Sequence, residues 1–570
     1  MKSLTNLNLK DNKIVVLPHD AFKDLNRLTF LNFENNSIEK LEENWARNLS
    51  SLTTLNLKHN LISFINKENL NIPSIKYLFL QNNNLRIIED RFLNFLSKLE
   101  KLDLVSNSIA YLNERSFSGL SKLTHLSLDH NLLGDIGDYF QHTHSLSVLD
   151  LSKNSIINTS KGAFQNLHNV TKLILNDNSL RDIPHINNLI KLTHLHLINN
   201  SIENIINKHF ENVEQLTHIY LSGNKIKNIY PDAFRHLKPL THLDLSQNLI
   251  HNISPLAFHE LTSLETLEIQ NNELIDLPPY TFEKLASVVS IDLSNNFLST
   301  IPRTLFGNIS SIVTLNLAGN LIDSIEVDAF RYLPSLNYLY LQSNRLRGIA
   351  NHFQYLQPLK ELYLGDNSIE SLPEDAFVHL RSLTHLSLNN NQISVLPRNI
   401  FENLSSLRYL NISNNKIATL DKWVFSELFS LVVLDLENNS LTYLHENFFF
   451  SNKHLEALNV GYNKLTCFNP CIIANRLRSG LLVVHEGNPW NCSFMQHENE
   501  LNLMCPGSND ENLDDTIINT VKLHFDSDHE NTERDKIDSI QANSFEIFIG
   551  NRMLVIIALS AIVHKYLYCY

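Results

Sequence analysis

Glycine is scarce in this chain, with only 14 residues among 570. Because loops that cradle phosphate groups need glycine where the backbone approaches the ligand, a nucleotide-binding loop is not expected. The 26 histidines form no His-Glu-x-x-His motif, and no Gly-x-Ser-x-Gly sequence occurs. The common sequence signatures of metalloproteases and serine hydrolases are therefore missing. We predict that the protein is not an enzyme and that it uses no cofactor.

Basic residues are also fewer than acidic residues. Lysine and arginine number 46 against 60 aspartates and glutamates, so the formal net charge is −14. The chain has no basic stripe that would neutralise the phosphates of a nucleic acid. We therefore do not expect nucleic acid among its partners.

Leucine and asparagine, in contrast, recur in a fixed frame. Residues 191–202 read KLTHLHLINNSI, an L-x-x-L-x-L-x-x-N-x-I pattern. This pattern is the signature of a leucine-rich repeat, in which each repeat buries its apolar face only against its neighbours. The frame occurs twenty times at a spacing of 22 to 24 residues, and its asparagines are Asn12, Asn36, Asn60, Asn83, Asn107, Asn131, Asn154, Asn178, Asn200, Asn224, Asn248, Asn272, Asn296, Asn320, Asn344, Asn367, Asn391, Asn415, Asn439 and Asn463.

The frame also predicts where each side chain lies. The L-x-L core is a short strand, so Leu195 and Leu197 point inward while His194 and His196 point outward. The asparagine amide is expected to satisfy backbone groups where the chain turns away from the strand. A stacked aromatic spine is predicted by the phenylalanine that thirteen repeats carry ten residues after the asparagine: Phe22, Phe117, Phe164, Phe210, Phe234, Phe258, Phe282, Phe306, Phe330, Phe377, Phe401, Phe425 and Phe449.

These patterns define a fold class and two domain boundaries. We predict an α/β repeat fold, a leucine-rich repeat solenoid (horseshoe) over residues 1–465 with parallel strands on its concave face. Residues 466–507, where the pattern dissolves, are expected to form a cysteine-containing C-terminal cap. The consensus begins at Leu4 without a polar cap or signal peptide, so we expect the N-terminal cap to be missing. We further expect the chain that starts at Met1 to aggregate or to be degraded unless such a cap is supplied.

The C-terminal residues differ in composition from the repeats. Residues 508–542 hold ten acidic and three basic side chains, which predicts a disordered, solvated spacer over 508–544. The hydrophobic tail, 545–570, contains an apolar run of eleven residues, Met553–Val563, which is too short to span a bilayer. Small residues at 542–544, followed by an apolar tail, favour a removable lipid-anchor signal over a spanning helix. A tail with neither role is the third alternative.

A family resemblance rests on the second halves of the repeats and on the cap. The segments YPDAF (230–234), LPEDAF (372–377) and NPWNC (488–492) resemble those of extracellular leucine-rich repeat proteins. Within that group the chain is most similar to the chaoptin and connectin type of insect cell-surface adhesion protein, over about residues 1–505. The resemblance implies recognition of a protein ligand, a cell-surface receptor or a second copy in a homophilic contact. It also implies a location outside the cell, with membrane association through the C-terminal tail.

Two other functions remain as alternatives at this stage. One is an innate-immune recognition ectodomain of the Toll type, and the other is a soluble secreted carrier subunit. Eleven Asn-x-Ser/Thr acceptors are compatible with a secreted glycoprotein, although a chain so rich in these residues contains about ten by chance.

The resemblance also has a consequence for the cysteines. Caps of this family carry Cys-x-Cys and two later cysteines, whereas this chain has Phe494 where the second cysteine would stand. Four cysteines allow three disulfide pairings, of which Cys467–Cys471 with Cys492–Cys505 is favoured, and their clustering in a cap indicates an oxidising compartment. A zinc site formed by these four cysteines is the alternative.

A column of histidines is the first candidate ligand-binding site. Neighbouring strands lie about 4.8 Å apart, so charged imidazoles at one position would repel each other and the column should be neutral near pH 7. It is interpreted as a pH-responsive contact, as a metal site with two imidazoles and Asp244, or as a product of repeat duplication, because LTHL also occurs around His125 and His385. The candidate residues are His194, His218 and His242 in one column, with His196, Tyr220 and Asp244 in the next.

A group of tyrosines is the second candidate. Tyr338, Tyr340, Glu361 and Tyr363 occupy outward positions on adjacent strands, with Tyr409 two repeats further on. Exposed tyrosine is typical of binding hot spots. Tyrosine is also frequent in strands because of its β-propensity, so scattered surface aromatics are the alternative.

Overall fold

The computed structural model of the chain describes residues 2–88, 92–307, 309–445, 448–466 and 481–489. The chain divides into two compact units. The long unit comprises Met1–Ser368 and His379–Ser382, and the short unit comprises Ile369–Val378 and Leu383–Tyr570. Each unit is built from repeats whose strands pair in parallel.

The long unit contains a parallel sheet of sixteen strands, each of three residues. Every strand pairs in register with the strand of the next repeat, so equivalent residues of successive repeats lie side by side. In chain order the strands are Asn6–Asn8, Phe30–Asn32, Thr54–Asn56, Tyr77–Phe79, Lys101–Asp103, His125–Ser127, Val148–Asp150, Lys172–Ile174, His194–His196, His218–Tyr220, His242–Asp244, Thr266–Glu268, Ser290–Asp292, Thr314–Asn316, Tyr338–Tyr340 and Glu361–Tyr363.

The short unit contains five strands of the same kind. They are His385–Ser387, Tyr409–Asn411, Val433–Asp435, Ala457–Asn459 and Leu482–Val484, and they pair in parallel in that order. The last strand lies inside the segment 466–507, so one more strand of the repeat type is present where the sequence predicts only a cap. The predictions for Cys467, Cys471, Cys492 and Cys505, for the spacer 508–544 and for the tail 545–570 concern residues outside the described ranges.

The core lies directly behind the sheet. In the strand His194–His196 the central Leu195 is 0% exposed, while the two histidines are partly exposed. Leu197, just beyond the strand, is also 0% exposed. The predicted solenoid of parallel strands, with inward leucines and outward variable residues, is therefore confirmed.

The repeat asparagines form a hydrogen-bonded ladder beside the strands. Asn224 donates from Nδ2 to the carbonyl oxygens of Leu197 and Leu221, both at 2.9 Å. Its Oδ1 accepts the backbone N–H of Ile202 in the preceding repeat at 3.0 Å. Asn488 makes the same contacts, to the carbonyls of Val460 and His485 and from the N–H of Leu465. It therefore continues the ladder beyond Asn463.

The predicted phenylalanine spine is present on the opposite side of the core. From Phe210 to Phe306, five rings stack with successive centroid distances of 5.9, 6.1, 6.3 and 6.1 Å. Phe140 and Phe353 also belong to the spine, stacking on Phe117 at 5.7 Å and on Phe330 at 6.3 Å respectively. Each of these two stands nine residues after its repeat asparagine, because their repeats are one residue shorter.

The segments that return from one strand to the next are mostly turns. Two-residue strands occur at Val16–Leu17, Lys40–Leu41, Ile87–Ile88, Tyr111–Leu112, Asn204–Ile205, Asn228–Ile229, Asn252–Ile253, Thr300–Ile301 and Ser324–Ile325. Within the described ranges the helical segments are short 3₁₀ turns at Phe92–Phe95, Asn207–Phe210 and Asn351–Phe353. No helix in those ranges is long and apolar enough to cross a bilayer.

Candidate binding surface on the parallel sheet

The outward side chains of the sixteen strands in the long unit form one open surface, which we call the sheet face. The first and third residues of each strand contribute to it, because side chains alternate across a strand. Each position thus generates a column that runs across the strands, with a spacing of about 4.8 Å between neighbours. Both sequence-predicted sites of the long unit lie on this surface.

The three histidines of the first column stack on one another. His194, His218 and His242 lie at paired positions of three successive strands. Their ring centroids are separated by 4.3 Å in both steps, with interplanar angles of 10° and 8°. The predicted column is therefore a continuous stack of imidazoles.

A threonine before each histidine sets the orientation of the ring. Thr193, Thr217 and Thr241 each donate their hydroxyl proton to a backbone carbonyl of the preceding repeat, at 2.9 to 3.0 Å. The same hydroxyl oxygen lies 2.8 to 2.9 Å from Nδ1 of the following histidine. Because a hydroxyl has a single proton, Nδ1 must be the donor in this second bond. In the neutral ring, Nε2 therefore carries the free lone pair.

The column resists protonation. Burial, reinforced by the charge of Lys172 and by His242, lowers the pKa of His194. Burial, with His194 and His242 on either side, lowers the pKa of His218 to about 4. These two rings are neutral at pH 7, in agreement with the interpretation of the column from sequence.

The second column runs through His196, Tyr220 and Asp244. The His196 ring stacks on Tyr220 at 4.5 Å, and burial lowers the pKa of His196 to about 4. Its Nε2 is buried and has no hydrogen-bond partner among the residues that the structure describes. Asp244 accepts hydrogen bonds from the backbone N–H of Ser246 at 2.9 Å and from its hydroxyl at 2.6 Å. The strand register places Asp244 beside Tyr220.

The metal hypothesis for these histidines finds no support in the geometry. Across the described ranges, no group of three or more histidine, cysteine, aspartate or glutamate side chains could hold a metal ion. Stacked rings present their nitrogens side by side, whereas a tetrahedral site needs lone pairs that converge on one point. Repeat duplication and a functional contact remain as interpretations. The Thr–His bond recurs at His125 and His385, at 2.9 Å in both cases.

The tyrosine group is brought together in the long unit, except for Tyr409. Tyr340 and Tyr363 stack at 5.1 Å with an interplanar angle of 7°, and the Tyr363 hydroxyl donates to Oε2 of Glu361 at 3.0 Å. Burial, and then the charge of Glu361, raises the pKa of Tyr340 to about 12. Tyr338 is paired with Glu361 across the two strands. Tyr409 belongs to the short unit, where its ring stacks on His385 at 4.3 Å.

Two carboxylates that extend the second column beyond Asp244 were not among the sequence-predicted residues. Glu268 and Asp292 continue the second column beyond Asp244, as the register of the strands shows. Burial raises the pKa of Glu268 to about 7, with smaller contributions from Asp244 and Asp292. Burial also raises the pKa of Asp292, against the opposing effect of Ser294. The alternation in the segment LEIQ, 267–270, marks Glu268 as outward, so its position was accessible from sequence.

If the tyrosine pair is a binding hot spot, replacing Tyr340 and Tyr363 by alanine should weaken partner binding by at least ~2 kcal/mol. The rings are large, rigid and stacked, so they offer contact area at little cost in conformational entropy. The measurement is a titration of partner binding by the double variant. The matched control removes Tyr230 and Tyr332, which are 43% and 47% exposed and lie off the sheet face. Equal affinities for the two double variants would contradict the prediction.

A comparison with known protein families identifies the family to which the repeats belong. The family model described as leucine rich repeat matches residues 2–62, 73–133, 137–180, 190–250, 214–274, 239–298, 286–346, 350–393, 381–441 and 429–474. The chain therefore belongs to the leucine-rich repeat family. A comparison with curated protein sequences gave no significant match.

Solved structures show the same fold. A leucine-rich repeat protein of Leptospira interrogans is similar at 24% identity over 74% of this chain and 92% of its own, with a TM-score of 0.52. The plant peptide hormone receptor RGFR1, solved in complex with RGF2, is similar at 22% identity over 86% and 87%, with a TM-score of 0.56. A TDR receptor is similar at 22% identity over 85% and 93%, with a TM-score of 0.54. At this level of identity the likeness concerns the fold alone.

Proposed function

We propose that the protein is a non-catalytic recognition protein of the cell exterior, of the chaoptin and connectin type, that acts in cell adhesion. It binds a protein ligand, a cell-surface receptor or a second copy of itself through the sheet face of the long unit. Nucleic acid is not part of this proposal, because the chain carries a formal net charge of −14. The C-terminal tail supplies the membrane association, with a lipid anchor favoured over a spanning helix.

The observation that supports this proposal most directly is the sheet face itself. Sixteen strands in register present aromatic, imidazole and carboxylate side chains on one side. Stacked pairs such as His196–Tyr220 and Tyr340–Tyr363 are partly exposed there. Aromatic side chains held in fixed positions on an exposed surface are typical of protein-binding surfaces. A peptide hormone receptor is among the structures that share the fold.

The positions of the glycosylation acceptors are consistent with a ligand-binding role for this surface. In the long unit, none of the described Asn-x-Ser/Thr acceptors stands at the first or third position of a strand of the sixteen-stranded sheet. In the short unit, Asn411 does stand at such a position, in the strand Tyr409–Asn411. A secreted form of the protein would thus keep the sheet face of the long unit free of glycans.

A glycan placed on the sheet face tests the proposal. The substitution Ala318→Ser turns Asn316 into the asparagine of an Asn-x-Ser acceptor in the middle of the face. Serine is tolerated at this repeat position, since Ser246 and Ser294 occupy it in other repeats. The matched control combines Ala318→Ser with Asn316→Gln, which removes the acceptor and keeps the serine.

Two populations of non-adherent cells, one displaying the full chain and one without it, are labelled and mixed. Clusters of displaying cells alone indicate a homophilic contact, and mixed clusters indicate a receptor on the other cells. We expect Ala318→Ser to abolish clustering and the double variant to retain it, with a glycosidase-sensitive mobility shift confirming the glycan. Clustering that survives the glycan would exclude the sheet face as the binding surface, and the absence of clusters with the unmodified chain would exclude adhesion.

A separate experiment tests the lipid anchor. The chain is displayed with its own C-terminal tail intact, and its release from the cells by a phosphatidylinositol-specific lipase is measured.

A further inference from the structure

One part of the sheet face carries negative charge without compensating cations. The seven strands from His194–His196 to Tyr338–Tyr340 have no lysine or arginine at their first or third positions, at the residue before the strand or at the second residue after it. The same positions include four carboxylates: Asp244, Glu265, Glu268 and Asp292. None of these four makes an ion pair in the part of the chain that the structure describes.

The imidazole column beside these carboxylates offers hydrogen-bond acceptors. The threonine hydroxyls hold His194, His218 and His242 with the proton on Nδ1 whenever the rings are neutral. Their Nε2 atoms therefore present lone pairs rather than N–H groups. A partner that binds across this region must supply donors, and positively charged donors would also meet the carboxylates.

Aromatic rings flank the carboxylates in the same column. The register of the strands aligns Tyr220, Asp244, Glu268, Asp292, Asn316 and Tyr340, and we call this set the acidic row. Five strand-to-strand steps give it a length of about 24 Å, which an extended peptide covers with roughly seven residues. Guanidinium groups bind carboxylates through paired hydrogen bonds and stack on aromatic faces.

We propose that the acidic row, together with the imidazole column, binds an extended segment of a partner protein that is rich in arginine and lysine. This inference rests on the proposed role of the sheet face in recognition and specifies the chemistry of the partner. Cationic side chains complement the carboxylates and donate to the Nε2 atoms. The rings of Tyr220 and Tyr340 accept the guanidinium planes at the two ends of the row.

The same geometry makes the contact sensitive to pH. Glu268 faces Asp244 and Asp292 on the adjacent strands, with Glu265 immediately before its own strand and Tyr220 two strands away. Because burial and its neighbours raise the pKa of Glu268 to about 7, it loses its charge as the pH falls from 8 to 6. A cationic segment binds the ionised form, so its affinity should rise with pH over this range. His218, with its pKa lowered to about 4, stays neutral throughout and does not contribute.

The test uses the full chain and a fluorescein-labelled nona-arginine peptide, with nona-lysine and nona-glutamate for comparison. Binding is followed by fluorescence anisotropy at pH 8. The sheet-face variant, Glu265→Gln/Glu268→Gln, removes the charge of Glu268 from the sheet face and the charge of Glu265 immediately before the same strand. The matched control, Glu273→Gln/Asp276→Asn, removes two exposed charges from the same repeat, off the sheet strands. Neither variant creates a glycosylation acceptor.

We expect the sheet-face variant to lower affinity for nona-arginine about fivefold or more, and the control to change it less than about twofold. Lowering the pH from 8 to 6 should weaken binding to the unmodified chain, and Glu268→Gln should reduce this dependence. Equal effects of the two double variants, or tighter binding of nona-glutamate, would overturn the inference. If Ala318→Ser blocks cell clustering while the two double variants bind nona-arginine equally, the proposed function stands and this inference fails.

Discussion

Replacing Phe258 by alanine should lower the free energy of unfolding by ~3–5 kcal/mol. The ring is 1% exposed and stacks between Phe234 and Phe282, at centroid distances of 6.1 and 6.3 Å. Removing it takes away contacts in two neighbouring repeats at once, since repeats in a solenoid are stabilised mainly by their neighbours. The cavity that remains cannot collapse easily, because both flanking rings are held by rings further along the spine. The measurement is urea unfolding of the full chain, followed by circular dichroism.

The chain provides its own control for this experiment. Phe297 is 47% exposed, so Phe297→Ala is the same chemical change at a site where the ring makes few packing contacts. We expect a cost of no more than about 0.5 kcal/mol there, as for other surface substitutions. If both substitutions lowered the free energy of unfolding equally, the stacked spine would contribute no more than an exposed side chain.

The fold was predictable because one frame explains most positions. Inward leucines, outward variable residues, the ladder asparagine and the spine phenylalanine each follow from a single spacing. The structure confirms these features, except that Phe22 is partly exposed and packs edge-on against Phe33 and Trp45 instead of stacking. Phe140 and Phe353 were missed because they stand nine rather than ten residues after the asparagine. Asn488 was missed because it lies in the NPWNC segment. That segment was assigned to the cap by resemblance, so its asparagine was not recognised as part of the ladder. A frame that allows repeats to differ in length by one residue would have found the two phenylalanines.

The candidate site was predictable in position but not in chemistry. The spacing of His194, His218 and His242 predicts their register, and the structure brings them together. The Thr-His pair of each LTHL segment marks these threonines, but the hydrogen bonds that they donate to the preceding repeat, and hence the position of the proton on Nδ1, are evident only from the structure. The raised pKa of Glu268 likewise depends on how deeply the side chain lies in the face. The spacing of residues along the sequence does not predict how deeply a side chain is buried.

Replacing Asn296 by alanine should lower the free energy of unfolding by at least ~3 kcal/mol, because it leaves several buried backbone groups without partners. Asn296 is 2% exposed, and its Nδ2 donates to the carbonyl oxygens of Ile269 and Leu293 at 3.1 and 3.0 Å. Its Oδ1 accepts the N–H of Leu274 at 3.1 Å. Alanine supplies neither donor nor acceptor, and each buried group left unpaired costs about 1–3 kcal/mol. Urea unfolding of the full chain measures the loss.

Two further substitutions separate hydrogen bonding from packing at this position. Asn296→Asp keeps the shape and the acceptor but replaces the Nδ2 donor with a second oxygen, which faces the carbonyls of Ile269 and Leu293. It should therefore destabilise the chain at pH 7 at least as much as alanine does. Asn337→Ala, at a partly exposed position immediately before the strand Tyr338–Tyr340, should cost no more than about 0.5 kcal/mol. A near-native stability for Asn296→Asp would show that the side chain acts by filling space, and the ladder would then be a consequence of the repeat rather than a source of its stability.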